Sequence, residues 1–298
     1  MQIMPETTPQ ITDLISVCCL KDIEAWEITS AFIVRNIASK QYRVIVPDKE
    51  IMEFIKKSPP QFQVIGESRY TQLFSQKLSK LLPENKKSQF GWYLQQFIKL
   101  LAIQDNTSQD IVLIWDADTA PINQLYFISE DGRLIYYKSS ENHQPYFETI
   151  QKLTGLDKKV SFSFSAQCFP IKVVWFNSFC SALEKKFQVH WIDAILDHID
   201  FDKPNSFSEY ETLGTFISHH YPDQVIYSDR PWWRLGNTLI NHVAFLSNKK
   251  ANALSIQYDF ISFEKWERAK PYFIKVSIPY FFKIYLPSLL KKNSNRYV

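Results

Sequence analysis

Residues 111–121 read IVLIWDADTAP, and this stretch is the strongest indication of the fold. Its first five residues are apolar without alternation, which predicts a strand buried on both faces of a sheet. Asp116 and Asp118 follow directly, two positions apart. Side chains at i and i+2 of an extended chain point the same way, so both carboxylates can converge on one cation. The pair lies beyond the carboxyl end of the strand, where α/β sheets bind ligands.

Two carboxylates in this arrangement suit Mg²⁺ or Mn²⁺. Both ions prefer oxygen ligands, keep several waters and accept further oxygens from a diphosphate. The alternative is a solvated loop in which Asp116 and Asp118 cap the turn that follows. The strands and helices that precede the pair favour the metal site, because they place it at the edge of a sheet.

The chain before residue 111 alternates short apolar runs with segments of helical spacing. Strands are predicted at 11–20, 42–46 and 62–65, and helices at 22–38, 49–57 and 70–103, the last broken near Pro83. Such alternation indicates βαβ units and a largely parallel sheet.

The chain after residue 121 changes character. A β-hairpin is predicted around Glu130-Asp131-Gly132, and a strand is predicted at 160–169. Helical spacing follows at 146–153, 172–187, 190–199 and 208–220, with short strands and loops after Pro231. We therefore expect an α/β fold with a central mixed, mainly parallel sheet flanked by helices.

The composition excludes several classes of protein. Only 6 of 298 residues are glycine, and neither GxGxxG nor GxxxxGK[ST] occurs, which argues against a loop that binds phosphate through backbone amides. A net charge of +3 is too small to indicate nucleic-acid binding. The four cysteines show no CxxC spacing, so free thiols are expected rather than a zinc site.

Three further segments accompany the WDADTAP motif: GWYLQQFIKL at 91–100, SFSAQCF at 163–169 and FSEYETLGTF at 207–216. Together they make residues 11–245 resemble the GT-A fold of nucleotide-sugar glycosyltransferases, a Rossmann-like fold, and in particular a bacterial family of glycosyltransferase-like proteins. The resemblance implies a donor-binding N-terminal half and an acceptor-binding C-terminal half. It also implies a nucleotide sugar as donor, with UDP favoured, and a glycan or lipid-linked glycan as acceptor.

In such enzymes the aspartates of the DxD motif hold a divalent ion, Mn²⁺ or Mg²⁺, against the donor diphosphate. The resemblance assigns this role to Asp116 and Asp118. GT-A enzymes often add a metal-binding histidine near the end of the domain, and His242 occupies a comparable position, with His219 and His220 as alternatives. The HxxGxxKPW pattern that usually carries this histidine is absent from the sequence.

Three residues are candidates for donor contacts. Gln96 and Lys99 are i,i+3 neighbours on the helix predicted before the metal strand, from which they would reach donor hydroxyls or phosphate. The alternative for both is a solvated polar face. Asp22 follows the first strand, where GT-A enzymes contact the nucleotide base or ribose, but it is equally suited to cap the helix at 22–38.

The segment after Phe207 holds the candidates for acceptor chemistry. A transfer that inverts the anomeric carbon needs a carboxylate to take the proton of the acceptor hydroxyl. Glu209 and Glu211 are the candidates, with Tyr210 between them assigned to substrate. Ser208 and Glu211 also match a capping box, and this structural alternative leaves Glu209 as the more available base.

Other polar and aromatic residues are assigned to substrate, each with a structural alternative. Gln167 ends a predicted strand and would border the acceptor pocket. His190 and Trp191 would offer a sugar one polar contact and one stacking face. Arg230 or Arg234, beside two tryptophans, would neutralise the leaving diphosphate, unless it forms a structural corner with an aspartate.

Residues 1–250 are interpreted as one GT-A-like catalytic domain, and residues 251–298 as an extension rich in aromatic side chains and lysines. The extension is expected to make a peripheral membrane contact, with a homodimer contact or plain packing as alternatives. No apolar stretch approaches the about 18 residues of a membrane helix, and no secretory signal is evident. We therefore expect a cytoplasmic protein, peripheral on the inner face of the cytoplasmic membrane if the extension binds lipid.

The sequence thus predicts a metal-dependent glycosyltransferase of bacterial surface polysaccharide or lipid-linked glycan synthesis. Two alternatives come from other classes. One is a carbohydrate-binding or assembly protein that retains the fold without catalysis, and the other is a nucleotidyltransferase. No nucleic-acid partner is expected.

Overall fold

The apolar runs predicted as strands pair in one central sheet. The computed structural model describes residues 9–264. Its strands are β1 (Asp13–Val17), β2 (Gln41–Val46), β3 (Phe62–Gly66), β4 (Ile111–Trp115), β5 (Thr119–Pro121), β6 (Leu134–Tyr137), β7 (Cys168–Lys172), β8 (Val225–Ser228) and β9 (Phe260–Ser262). The central sheet has the order β3-β2-β1-β4-β7, in which the first four strands run parallel and β7 runs antiparallel to β4.

Helices flank this sheet. They are α1 (Ile23–Asn36), α2 (Ile51–Lys57), α3 (Ser68–Thr71), α4 (Ser75–Leu81), α5 (Phe90–Ile103), α6 (Gln144–Thr154), α7 (Val173–Phe187), α8 (Trp191–His198), α9 (Glu209–His220), α10 (Gly236–Ile240) and α11 (Asn248–Leu254). One large apolar core joins the buried sheet residues to helix residues such as Trp26, Phe97 and Phe176. The predicted α/β class, with a central mixed, mainly parallel sheet flanked by helices, is confirmed.

Strand β4 determines where the site lies. All five of its residues are buried, and it lies between β1 and β7. Trp115, its last residue, pairs with Cys168, the first residue of β7. The carboxyl ends of β1 and β4 and the chain that enters β7 therefore meet at one edge of the sheet. Asp116 follows β4 at that edge, and Gln167 precedes β7 there.

The strand predicted at 160–169 is wrong, because the strand in this region is β7 and begins at Cys168. The alternation of Phe and Ser before it belongs to a loop. Within that loop Ser163 makes one isolated bridge to Ser139, and its hydroxyl donates to the carboxylate of Glu211. The serine that imitates strand spacing is an anchor to α9 and not part of a sheet ladder.

The turn predicted at 130–132 is present. Gly132 has a φ of +82°, and the Ser129 N–H donates to the Arg133 carbonyl over 2.9 Å. The predicted hairpin, however, is reduced to a bridge between Ile128 and Leu134. The reason is that β6 pairs in parallel with β8 instead of with the chain before the turn.

Residues 251–264 belong to the folded body. Strand β9 pairs antiparallel with β5, and Ala251, Phe260 and Ile261 are fully buried. The first residues of the extension predicted to begin at residue 251 are therefore part of the fold. Its remainder, 265–298, lies outside the described residues, as do the membrane and dimer contacts expected of it. The region after Pro231 also contains the short helices α10 and α11, where only strands and loops were expected.

Candidate active site

A polar cavity of about 210 Å³ opens where the carboxyl ends of β1 and β4 face the first turn of α9. Its charged lining residues, among those described, are Asp22, Lys99, Asp116, Asp118, Glu141, Glu209, Arg234 and Glu264. Acidic side chains outnumber basic ones in this set. The cavity therefore attracts cations although the whole chain carries a small positive charge.

Asp116 is held on both its backbone and its side chain. Its N–H donates to the Gln167 carbonyl over 2.9 Å. Its Oδ1 accepts from Lys99 Nζ at 2.6 Å and from Tyr210 Oη at 2.7 Å. The carboxylate is thus fixed in direction by α5 and α9 before any ligand arrives.

Lys99 joins the DxD motif to the predicted catalytic segment. Besides Asp116, its Nζ donates to Glu209 Oε1 at 2.9 Å and to Tyr210 Oη at 3.2 Å. Burial lowers the pKa of Lys99, but the carboxylates of Asp116 and Glu209 outweigh that effect and raise the pKa above its ordinary value. Lys99 is therefore a permanent cation between two carboxylates.

Glu209 is the first residue of α9 and is buried against the cavity. Burial raises its pKa above the ordinary value, while Lys99 lowers it. Its N–H donates to Gln96 Oε1 over 3.0 Å, so Gln96 fixes the start of α9. Gln96 and Lys99, neighbours on α5, both reach α9, and neither lies on a solvated face.

Asp118 has a different environment from Asp116. Its backbone carbonyl accepts from the Phe263 N–H at 2.9 Å, while its carboxylate lines the cavity. Burial raises the pKa of Asp118 well above its ordinary value. The neighbouring carboxylates raise it further, Glu264 most and then Asp116 and Asp22. Several carboxylates therefore adjoin one another in this part of the cavity.

The donor set fits a divalent ion held by few protein ligands. Within residues 9–264, no group of three or more His, Cys, Asp or Glu side chains is arranged to hold a metal. Asp118 and the second oxygen of Asp116 still offer hard carboxylate oxygens at the cavity, and a bound cation would relieve the repulsion around Asp118. Mg²⁺ and Mn²⁺ commonly take one or two carboxylates and complete their coordination with water and substrate phosphate.

Asp22 lies at the junction of this cavity and a second one. It precedes α1, and its side chain makes no capping hydrogen bond to that helix. The second cavity has a volume of about 530 Å³, shares Asp22, Trp92 and Asp118 with the first, and extends past Cys19 and Pro47. The two cavities together offer space for a ligand longer than a diphosphate.

Gln167 lines the first cavity, and it precedes a strand instead of ending one. Its φ of +65° is unusual for a residue other than glycine and turns its carbonyl toward the Asp116 N–H. Its side-chain Oε1 accepts from Ser262 Oγ at 3.2 Å, and its Nε2 donates to Glu264 Oε1 at 3.2 Å. Gln167 therefore links the DxD loop to the end of the described chain.

The structure places Glu211 outside the cavity. Ser208 caps α9 by accepting from the Glu211 N–H at 3.3 Å, as the capping box predicts. The Glu211 carboxylate is occupied elsewhere, because Oε1 accepts from Ser163 Oγ and from the Phe164 N–H. Of the two predicted bases, only Glu209 lines the cavity.

Arg230 does not line this cavity and forms an ion pair of its own. Its Nη2 lies 2.5 Å from Asp259 Oδ1, which is the structural corner left open by the sequence. Arg234 lies in the cavity wall instead, where Nε and Nη1 bind Glu264 Oε1 at 2.8 Å and Glu141 Oε2 at 2.5 Å. Of the two arginines considered from the sequence, Arg234 lines this cavity, whereas Arg230, the one assigned to substrate, does not.

His190 and Trp191 do not form a sugar-stacking face in the cavity. They begin α8, where His190 is the N-cap and Trp191 is buried with its ring 5.6 Å from that of Phe176. The apolar face of α8 needs this tryptophan for packing against α7. Their assignment to substrate is corrected to a structural role.

His242 is likewise placed apart from the two aspartates. Its Nδ1 accepts from the Ala244 N–H at 3.2 Å, and its Nε2 lies 3.6 Å from Glu24 Oε2. The alternatives His219 and His220 end α9, whereas Asp116 contacts the beginning of that helix, about 15 Å away along its axis. None of the three histidines completes a metal site with the DxD motif among the described residues.

Several lining residues were not found from the sequence. Glu141 and Glu264 lie in loops without a recognisable motif, so no local pattern marks them. Trp92 and Tyr146 also line the cavity, and their rings are nearly parallel, with centroids 6.3 Å apart. An aromatic pair at a polar cavity is the kind of surface against which sugar rings stack. The sequence pointed to Trp92 only through its position in the segment GWYLQQFIKL at 91–100.

Between residues 9 and 264, none of the helices has the length and apolar character that a bilayer crossing requires.

Comparison with solved structures finds similar chains, among them several glycosyltransferases by name. Mouse xyloside xylosyltransferase 1 in its apo form is 9% identical over 86% of this chain and 98% of that chain, with a TM-score of 0.47. The galactosyltransferase LgtC, in complex with donor and acceptor sugar analogs, is 10% identical. The match covers 89% of this chain and 95% of that chain, with a TM-score of 0.45. The glycosyltransferase GlyE of Streptococcus pneumoniae TIGR4 is 10% identical. The match covers 85% of this chain and 55% of that chain, with a TM-score of 0.42. No curated protein matches the sequence.

A family model described as a family of unknown function, DUF6492, matches residues 21–233. The matched residues include Asp116, Asp118, α5 and the whole of α9. They amount to more than half of the chain, and the chain therefore belongs to family DUF6492.

Proposed function

We propose that this protein is a glycosyltransferase that moves a sugar from a nucleotide-sugar donor to a glycan acceptor. The observation that carries the proposal is the convergence of Asp116 and Glu209 on Lys99 Nζ, at 2.6 and 2.9 Å, in one polar cavity. The first carboxylate belongs to a DxD motif at the edge of a parallel sheet, and the second is a buried candidate base. A place for the donor diphosphate therefore adjoins a group that can activate the acceptor.

The donor is proposed to bind across both cavities. Its nucleoside, for which uridine is favoured, would lie near Asp22 and Cys19 in the larger cavity, and its diphosphate near the two DxD aspartates. Asp118 and Asp116 would hold a divalent ion, Mn²⁺ or Mg²⁺. When bound, that ion would neutralise negative charge on the leaving diphosphate. The proposal needs no glycine-rich loop, which the sequence lacks.

Glu209 is proposed as the general base. The acceptor oxygen attacks the anomeric carbon, the bond from that carbon to the diphosphate oxygen breaks, and the hydroxyl proton passes to Glu209. The diphosphate leaves with the electron pair of the broken bond. A carboxylate whose pKa is raised by burial takes this proton more readily than an exposed one. The ammonium of Lys99 keeps the carboxylate oriented throughout.

The acceptor is proposed to enter beside the aromatic pair Trp92 and Tyr146. Sugar rings stack on such faces, and the Arg234 to Glu141 ion pair beside them offers polar contacts. We propose a glycan or lipid-linked glycan of bacterial surface polysaccharide synthesis as the acceptor. That reaction would take place in the cytoplasm or at the inner face of the cytoplasmic membrane.

The release of nucleoside diphosphate from a panel of donors tests the activity. UDP-glucose, UDP-galactose, UDP-N-acetylglucosamine and GDP-mannose are incubated with Mn²⁺ and the protein, without added acceptor. We expect slow hydrolysis of one donor, lowered at least 100-fold by Asp118→Asn and unchanged by Asp223→Asn, an exposed aspartate on a surface turn. Equal release by wild type and Asp118→Asn would contradict the proposal.

A further inference from the structure

We propose that Lys99 is a built-in cation of the DxD site, which takes the place of a metal at Asp116 until the nucleotide arrives. The inference rests on the proposed function, since it assumes that a divalent ion accompanies a nucleoside diphosphate at this edge of the sheet. The consequence is that the divalent ion is held chiefly by Asp118 and binds tightly only together with the diphosphate.

The contacts of Lys99 are complete without any ligand. An ammonium has three N–H donors, and those of Lys99 are directed at Asp116 Oδ1, Glu209 Oε1 and Tyr210 Oη. The side chain is 5% exposed, so solvent screens these contacts little. Tyr210 Oη adds a second donor to the same oxygen of Asp116. One oxygen of Asp116 is therefore already satisfied twice.

The charge around the two aspartates is unequal. Lys99 contacts Asp116, whereas Asp118 shares the cavity wall with the carboxylates of Glu264 and Asp22. Arg234, the other cationic side chain of the cavity wall, pairs with Glu264 and Glu141. A divalent ion that enters the cavity is therefore attracted most strongly near Asp118 and repelled near Lys99.

This asymmetry predicts how the ion binds. With one oxygen of Asp116 occupied by an ammonium, a lone ion keeps mostly water ligands, and such binding is weak. A nucleoside diphosphate adds oxygen ligands and negative charge, which compensate the repulsion from Lys99. Lys99 is thus a positioning residue, because it acts through the carboxylates of Asp116 and Glu209.

The test measures Mn²⁺ affinity from the electron paramagnetic resonance signal of free Mn²⁺, with no donor sugar and no turnover. We expect wild type to bind Mn²⁺ at least tenfold more tightly with saturating UDP than without it. Without UDP, Lys99→Gln is expected to bind Mn²⁺ at least tenfold more tightly than wild type. Lys57→Gln, which removes the same charge from a surface pair with Glu27, is expected to match wild type.

Two results would overturn the inference. One is a folded Lys99→Gln variant, checked by circular dichroism, whose Mn²⁺ affinity without UDP equals or falls below that of wild type. The other needs only the wild-type protein, and is an Mn²⁺ affinity that UDP leaves unchanged although UDP itself binds. A wild type that binds no nucleotide would instead remove the proposed function, and a gain of affinity in Lys99→Gln would still support the role of Lys99.

Discussion

Glu209 is the residue on which the proposed chemistry depends most. Two positions along a helix turn a side chain by about 200°, so Glu209 and Glu211 point to different sides of α9. The structure directs Glu209 into the cavity and Glu211 to the loop at Ser163. The sequence identifies both carboxylates, but the choice between them depends on that loop, for which the sequence predicts a strand.

Replacing Glu209 by Gln is expected to lower the rate constant of nucleotide-sugar hydrolysis or transfer at least 100-fold. The amide keeps the size of the side chain and an oxygen for Lys99, but it cannot take a proton. UDP affinity is expected to stay within threefold of wild type. Glu148→Gln, a surface change, is the control and should retain full activity. A Glu209→Gln variant with more than a tenth of the wild-type rate would exclude Glu209 as the base.

Cys19 provides a chemical probe of the proposed nucleoside site. Of the four free cysteines it alone is not buried, and it lines the larger cavity. Burial and then Asp22 raise the pKa of its thiol above the ordinary value, so alkylation should be slow at pH 7 and measurable at about pH 8.5.

We expect UDP with Mn²⁺ to slow the reaction of N-ethylmaleimide with Cys19 at least fivefold, measured by mass spectrometry of the modified peptide. The physical reason is that a bound nucleoside would cover the thiol. Cys19→Ser identifies the adduct as that of Cys19. An unchanged labelling rate at a UDP concentration shown to saturate the protein would place the nucleoside elsewhere.

Helix α9 is the element that brings the site together, since its first turn carries both Glu209 and Tyr210. Its position depends on Gly214, where an added Cβ would lie 2.2 Å from the ring of Phe164. The ring belongs to the loop that Glu211 anchors. Close contact between α9 and this loop is therefore part of what sets the distance from Glu209 to Asp116.

Gly214→Ala is expected to destabilise the protein by about 1–3 kcal/mol, the usual cost of overpacking a filled core. Gly91→Ala is the matched control, because Gly91 also lies in a helix and its added Cβ would meet nothing within 4 Å. That change is expected to leave stability equal or raise it by about 0.5–1 kcal/mol. Urea unfolding measures both variants, and equal midpoints for the two would contradict this account of α9.

At the scale of elements, the sequence predicts the bounds of a strand best where burial of an apolar run alone determines them. The apolar run at 111–115 has no solvent-facing alternative, so β4 is predicted with the bounds that the structure shows. The stretch at 160–169 has strand spacing, but Ser163 and Phe164 are recruited by the distant Glu211. Local spacing contains no information about such a partner.

At the scale of the molecule, the cavity is assembled from residues between Val17 and Glu264. The DxD pair and Lys99 could be predicted because they lie in motifs of short range. Glu264 could not, because it reaches the cavity only through the pairing of β9 with β5. In that pairing Ser262 lies opposite Thr119, which is 143 positions earlier in the chain. The net charge of +3 likewise hides an acidic cavity, because the average over a chain does not record where charges gather.

Calorimetric titration tests directly whether a nucleoside diphosphate and a divalent ion bind at Asp116 and Asp118. UDP, GDP and CMP are titrated into wild type, Asp118→Asn and Asp223→Asn, with and without Mn²⁺. We predict that UDP binds wild type and Asp223→Asn at least tenfold more tightly with Mn²⁺, and that Asp118→Asn lowers this affinity at least tenfold. No binding of any of the three nucleotides, or binding that Asp118→Asn leaves unchanged, would contradict this prediction.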